Sequence, residues 1–154
     1  MQQEIYQFND FAPKQLYRVL QLRSAVFVVE QTCYYQDMDD LDTLPETRHL
    51  MLLDGSEVAG YARILAPGAS YSGYSSIGRI LTAEQYRGQG LGHEVVKASI
   101  LLCEELWPGY EIKIGAQSHL ADFYGEHGFI VAGNEYMEDG IPHIHMVRSI
   151  NGKG

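Results

Sequence analysis

The chain predicts an α/β domain of three layers, with helices on the faces of a mixed sheet. Three observations carry that expectation. Hairpin signals fill the first half, strand and helix patterns alternate through the second, and no linker or internal repeat divides them. The strand-helix-strand unit across 76–116 should place its two strands parallel, with a right-handed crossover. At 154 residues and 45% hydrophobic, the whole chain, 1–154, reads as one domain with enough apolar content for a core.

Each element has a local reason. Residues 3–8 (QEIYQF) suit a short first strand. From Pro13, which fits a first helical turn, Leu16, Val19, Leu20, Leu22, Val26 and Phe27 return at helical spacing, and the helix fades near Glu30. The stretch YYQDMDDLDTLPET is a polar loop with acids at Asp37, Asp39, Asp40, Asp42 and Glu46. It reads first as a solvated face and second as a lure for a cationic acceptor. It is not an EF-hand, because Leu41 and Asp42 stand where a ligand and the glycine are needed. Leu50–Leu53, the turn signal Asp54-Gly55 and Val58–Leu65 form a hairpin. PGASYSGYSS follows as a loop and SIGRILT (76–82) as a strand. Leu91, Val95, Ala98, Leu102 and Leu106 mark the core face of a long helix that Trp107-Pro108-Gly109 ends. Residues 111–116 make a strand, 118–127 a short helix, 129–132 another strand, and IPHIHMV the last.

Charge and thiols narrow the function. With 20 acidic against 11 basic side chains the net charge is −9, which argues against a nucleic-acid partner. It suits a cationic small molecule or simple solubility. No apolar run approaches a membrane span, and MQQEIYQFND lacks the features of a secretory signal, so neither membrane nor export is expected. Cys33 and Cys103 make neither a disulfide framework nor a zinc site, and a reduced, cytoplasmic compartment fits them.

The segment QYRGQGLGHEVV (85–96) poses the sharpest question. Gly88, Gly90 and Gly92 lie between a strand and a helix, where each glycine costs helix stability. A helix N-terminus offers free amides and a positive dipole end, and Arg87 adds charge, so a phosphate would be welcome there. A structural glycine turn is the other reading. A P-loop is excluded because His93-Glu94 follows Gly92, and G-x-G-x-x-G fails at His93.

Arg87-Gly-Gln-Gly-Leu-Gly92 resembles the (Gln/Arg)-x-x-Gly-x-(Gly/Ala) signature of the GNAT superfamily of acyl-CoA-dependent N-acyltransferases. QSHLADFYGEHGF (117–129) resembles the same family's Asn-x-x-Ala-x-x-x-Tyr-x-x-x-Gly-Phe block, with Tyr124 on the tyrosine and Gly128-Phe129 on the closing pair. LRSAVFVVEQ, YQDMDDLD and EDGIPHIHM look like the ElaA-like branch. Gln117 and Leu120 depart from the commoner asparagine and alanine; Gln117 keeps an amide for the pantetheine arm.

The resemblance implies a GNAT-like α/β/α domain whose sheet is partly splayed between 76–82 and 111–116. Acetyl-CoA would enter that wedge as co-substrate, with no metal. Ile80, Leu81 and Thr82 would pair with its pantetheine arm, and the amides of Arg87, Gly88, Gln89, Gly90, Leu91 and Gly92 would hold its diphosphate. A primary amine, of a small molecule or a peptide, would attack the thioester directly. Tyr124 would protonate the thiolate, and an N–H near Leu81 would receive the oxyanion. Without the motif, Tyr124 reads first as a core ring with a surface hydroxyl. The base is left open between Glu30, His143 and none. Glu30 has the further alternative of pairing with an arginine such as Arg23. Arg79 and Gln117 are candidates for acceptor binding. His143-x-His145 hints at two metal ligands but lacks a third. His49, His93, His119 and His127 show no partner. A homodimer is compatible with the family. A non-catalytic acyl-CoA sensor and a plain phosphate binder are the rival readings; Tyr124 together with Arg87 and the glycines favours catalysis.

Overall fold

The computed structural model describes residues 1–150. Its strands are β1 (Gln2–Tyr6), β2 (Arg48–Asp54), β3 (Glu57–Leu65), β4 (Tyr74–Thr82), β5 (Glu111–Gln117), β6 (Phe129–Val131), β7 (Tyr136–Glu138) and β8 (Ile141–Arg148). Its α-helices are α1 (Pro13–Arg23), α2 (Leu91–Leu106) and α3 (Ala121–Gly125). One sheet holds all eight strands, in the order β1-β2-β3-β4-β5-β8-β6, with β7 paired to β8. The β4–β5 pair is parallel and every other pairing is antiparallel, so the mixed sheet expected from the sequence is present.

The hairpin strands are covered on both faces, which is why HLMLL reads as a run rather than an alternation. Leu50 and Leu52 pack with Ile64 beneath Val95, Val96 and Ile100 of α2. Met51 and Leu53 turn the other way, to Val19 and Leu22 of α1 and to Tyr61. Leu50, Met51, Tyr61 and Ile64 are fully buried, each contributing about 1.5–3 kcal/mol of transfer free energy.

Several boundaries differ from the sequence reading. The first strand stops at Tyr6 because Phe8–Asp10 is a 3₁₀ turn, with the Gln7 N–H donating to Asp10. The long first helix does run to Glu30, but Ser24–Glu30 is wound as a π-helix, an uncommon geometry frequent at functional sites. Residues 118–127 divide into a 3₁₀ turn, Ser118–Leu120, and the five-residue α3. Strand β4 starts at Tyr74, inside the segment read as a loop. Strand β7 is an addition to the expected elements: it joins β8 through Asp139 and Gly140, both at positive φ (50° and 78°).

Two irregularities open the sheet. The β4–β5 ladder consists of Tyr74↔Glu111 and Ser75↔Ile112 and then stops. Beyond it β4 stays on β3 to Thr82, while β5 stays on β8 from Ile112 to Gln117, so a wedge opens between them. Within β4, Arg79 and Ile80 together face Ala62, since Gly78 pairs with Arg63 and Leu81 with Tyr61. This is a β-bulge, and Arg79 sits in it at φ 51°.

Candidate functional site

The wedge forms a cleft of about 960 Å³. It gathers most of the residues singled out from the sequence: Ile80, Leu81, Thr82, Arg87, Gln117 and Tyr124, with Glu30, Arg79 and His143. The Ala83 N–H donates to Ala59 O at 2.9 Å, so the alternation of this ladder turns the Leu81 N–H and C=O to Tyr61 and those of Thr82 to the cleft. Leu81 therefore spends its polar main-chain groups inside the sheet.

The glycine turn lies past the end of β4. Gly88 and Gly90 stand at φ 80° and 78° with open space where a Cβ would be, so their role is conformational rather than steric. Gly90 is the N-cap of α2 and no side chain caps the helix, which leaves the first-turn amides of Leu91, Gly92 and His93 without side-chain partners. The Leu91 side chain is buried in the core, so only its main chain faces outward.

Arg87 is committed more than its sequence suggested. It donates to both Glu30 oxygens, at 2.9 and 3.0 Å, and through Nε to the Thr82 carbonyl at 3.2 Å. The alternative in which Glu30 pairs with an arginine holds, but the arginine is Arg87 rather than Arg23, and the π-helix carries Glu30 to it. Gln117 donates to Gln31 at 3.2 Å, tying β5 to the end of the same segment.

Tyr124 lies in α3 with 9% of its surface exposed, wedged edge-on between Phe123 and Phe129. Burial pushes its phenol up to about 12, so the hydroxyl keeps its proton across the physiological range. That hydroxyl has no protein hydrogen-bond partner among the described residues and is available to the cleft.

Among its acids, the acidic loop is a solvated face only at Asp40 and Glu46. Asp37 and Asp42 are buried, and three arginines converge on them and on Asp39. Arg23, fully buried, reaches Asp37 at 2.9 Å and Asp42 at 2.7 Å. Arg63 holds Asp39 at 2.7 Å and Asp42 at 3.2 Å. Arg79, released by the bulge, holds Asp37 at 2.7 Å and Asp39 at 3.4 Å. Burial opposes ionisation of Asp42, but the hydrogen bonds from Arg23 and the charges of Arg23 and Arg63 outweigh it and hold the carboxyl below its usual range. Arg79, expected at the acceptor, thus serves this network while lining the cleft. His49 also finds partners here, the Tyr61 hydroxyl at 2.7 Å and the Asp42 carbonyl at 3.1 Å, and burial lowers its pKa. Sequence reasoning missed this network, because each arginine is remote from its acid along the chain.

On the β8 side, the His143 Nδ1–H donates to the Ile141 carbonyl at 2.7 Å, and Nε2 lies 3.5 Å from Glu138. Tyr136 stacks on His145 at 4.6 Å and on His143 at 5.9 Å. The two histidines face an aromatic ring, and among the described residues no group of three or more His, Cys, Asp or Glu is arranged to hold a metal ion. His93 and His127 are partners of each other at 2.9 Å, and His119 lines the cleft.

Known proteins share this sequence and fold. The model of the acetyltransferase (GNAT) domain matches residues 7–150. Protein ElaA of Escherichia coli (strain K12) is 41% identical over 142 residues, 92% of each chain. The crystal structure of an acyl-CoA N-acyltransferase from Pseudomonas aeruginosa superposes with a TM-score of 0.90 at 40% identity, over 96% of this chain and 99% of that one. The crystal structure of Escherichia coli ElaA does so with a TM-score of 0.89 at 38% identity, over 97% and 100%.

Proposed function

The chain belongs to the GNAT acetyltransferase family as an acyl-CoA-dependent N-acyltransferase, and on that premise we propose that it moves an acetyl group from acetyl-CoA to a primary amine by direct attack. One observation carries the proposal: the β4–β5 ladder ends after two pairs, and the wedge beyond it, lined by Tyr124, extends to Thr82 and Arg87, where the glycine turn leads into a helix start with no side-chain cap among the described residues. Unpaired main-chain groups in a sheet need a partner when covered, and a peptide-like pantetheine arm supplies one.

When bound, acetyl-CoA supplies the activated thioester. The amides from Gly88 to Gly92 hold its diphosphate, with the helix dipole adding attraction; the Arg87 N–H, expected to join them, is taken by the Glu84 carbonyl at 3.3 Å. Ile80 and Thr82 offer main-chain groups on the β4 wall, and the Gln117 amide stands on the β5 wall. The bulge at Arg79-Ile80 supplies the oxyanion donor in place of Leu81. His143 is the base: its Nε2 takes the amine proton, since Glu30 is held by Arg87. As the amine nitrogen bonds to the carbonyl carbon and the C–S bond breaks, Tyr124 gives its proton to sulfur and solvent restores it. The products are an amide and the free thiol. We place the reaction in the cytoplasm, on the support of two buried, unpaired cysteines.

The test is calorimetry followed by thiol release. Acetyl-CoA and coenzyme A should bind, and ATP and NAD should not. Affinity without thiol release on any amine would make the chain a sensor; no affinity for either coenzyme form would remove the proposal.

A further inference from the structure

We propose that the acceptor amine carries a second cationic group, and that Tyr71, Tyr136 and Glu138 hold it on the β5–β8 wall of the cleft. This rests on the transferase reading.

The wall is built around a missing side chain. A Cβ on Gly115 would lie 2.7 Å from the Tyr136 hydroxyl and 3.2 Å from that of Tyr71, so two phenolic oxygens converge where β5 presents only hydrogen. Both rings are fixed in place. Tyr136 stacks on His145 at 4.6 Å, and Tyr71 meets the same imidazole edge-on at 5.6 Å. Phenolic oxygens accept hydrogen bonds and tyrosine faces attract cations, so the pair suits an ammonium on two counts. The chain already makes such a contact beside the cleft: the Lys113 ammonium sits 5.0 Å from the Tyr71 ring and 5.4 Å from the Tyr74 ring.

The charges agree. Every arginine lining the cleft is matched by a carboxylate: Arg63 and Arg79 by the loop aspartates, Arg87 by Glu30. Glu138 and Asp139 line the same cleft, and among the described residues neither is in a salt bridge with arginine or lysine; Glu138 approaches only the His143 ring. The hairpin carrying them is pinned across the cleft, where the Cys33 thiol donates to the Asp139 carbonyl at 3.2 Å. Even with the Lys113 ammonium on the Tyr71 ring counted against these two acids, the balance on this wall is negative, and Glu138 shares the face of β7 that carries Tyr136. A second ammonium satisfies it; a carboxylate is repelled.

A matched series tests this: cadaverine, pentylamine and 6-aminohexanoate, which differ in the charge of the far end. With acetyl-CoA saturating, kcat/KM should favour cadaverine over pentylamine by roughly tenfold, with 6-aminohexanoate last. Glu138→Gln, at an exposed side chain, should bring the cadaverine-to-pentylamine ratio near one without changing acetyl-CoA affinity by calorimetry. Tyr136→Leu should lower the same ratio. Equal values for the three amines, a ratio that survives both substitutions, or no turnover of cadaverine by a protein that binds acetyl-CoA each overturns the inference. A protein with no affinity for acetyl-CoA overturns the transferase reading instead.

Discussion

Replacing Asp42 with asparagine removes one negative charge from a buried lattice of three aspartates and three arginines. Its side chain is 8% exposed and lies 2.7 Å from Arg23, which is fully buried, and 3.2 Å from Arg63, which is 4% exposed. The asparagine keeps the shape but leaves three guanidinium groups sharing Asp37 and Asp39. Removing one partner of a buried pair costs about 3–5 kcal/mol, because the remaining charge cannot return to water. A domain of this size holds roughly 5–15 kcal/mol in all, so the variant loses a large part of its stability. The midpoint of thermal unfolding should fall by about 6–20 °C.

The pH dependence sharpens the prediction. The folded Asp42 titrates below its ordinary 3.8, so its contribution is present above that value and is lost as pH falls through the folded pKa. The gap between wild type and variant, measured by urea unfolding, should be widest near neutrality and close in acid. A variant within about 1 kcal/mol of wild type at neutral pH would refute the reasoning, and so would a gap that grows on acidification.

Four further outcomes are expected. Tyr124→Phe should lower kcat by about a hundredfold or more while acetyl-CoA affinity holds; an unchanged rate removes the acid role. Gly90→Ala forces a side chain to φ 78°, costing about 1–2 kcal/mol, and calorimetry should show weaker acetyl-CoA binding. Arg87→Ala should weaken acetyl-CoA affinity, whereas Glu30→Gln should strengthen it by freeing the guanidinium, each by no more than about fivefold for so exposed a pair; the same sign for both would sink the idea. His49 is held neutral by burial, so its share of stability is present above the unfolded value of 6.5 and fades as pH falls below it. A His49→Gln variant should lack that slope in melts between pH 5 and 8.

The architecture was legible because apolar spacing is a local property. Val19 and Leu22, or Val95 and Ile100, declare a helix face without reference to anything distant, and Asp54-Gly55 declares a turn. The glycine turn was legible for the same reason. What failed was pairing across sequence. Asp37 and Arg79 are 42 residues apart, and Glu30 and Arg87 are 57 apart, so an acid-rich loop looked solvated and Arg23 stood as the example of an arginine for Glu30. The π-winding of Ser24–Glu30 left no mark, because seven residues show too few turns to separate its period from the ordinary one. Strand β7 had a signal, Asp139-Gly140, but three residues gave the alternation no room to appear. Tyr71 and Tyr136 were hidden among eleven tyrosines; only the bare Gly115 between them singles them out.

Two residue pairs rivet β4 to β5, and on either side each strand belongs to its own antiparallel ladder. The sheet is therefore two plates joined at one short seam, over a core that both share beneath α2. In the transferase proposed above, the plate that bears the β7–β8 hairpin would choose what is modified, and the plate that ends in the glycine turn would grip the donor. On that division of labour, a change of recipient asks for new residues on the first plate and none on the second.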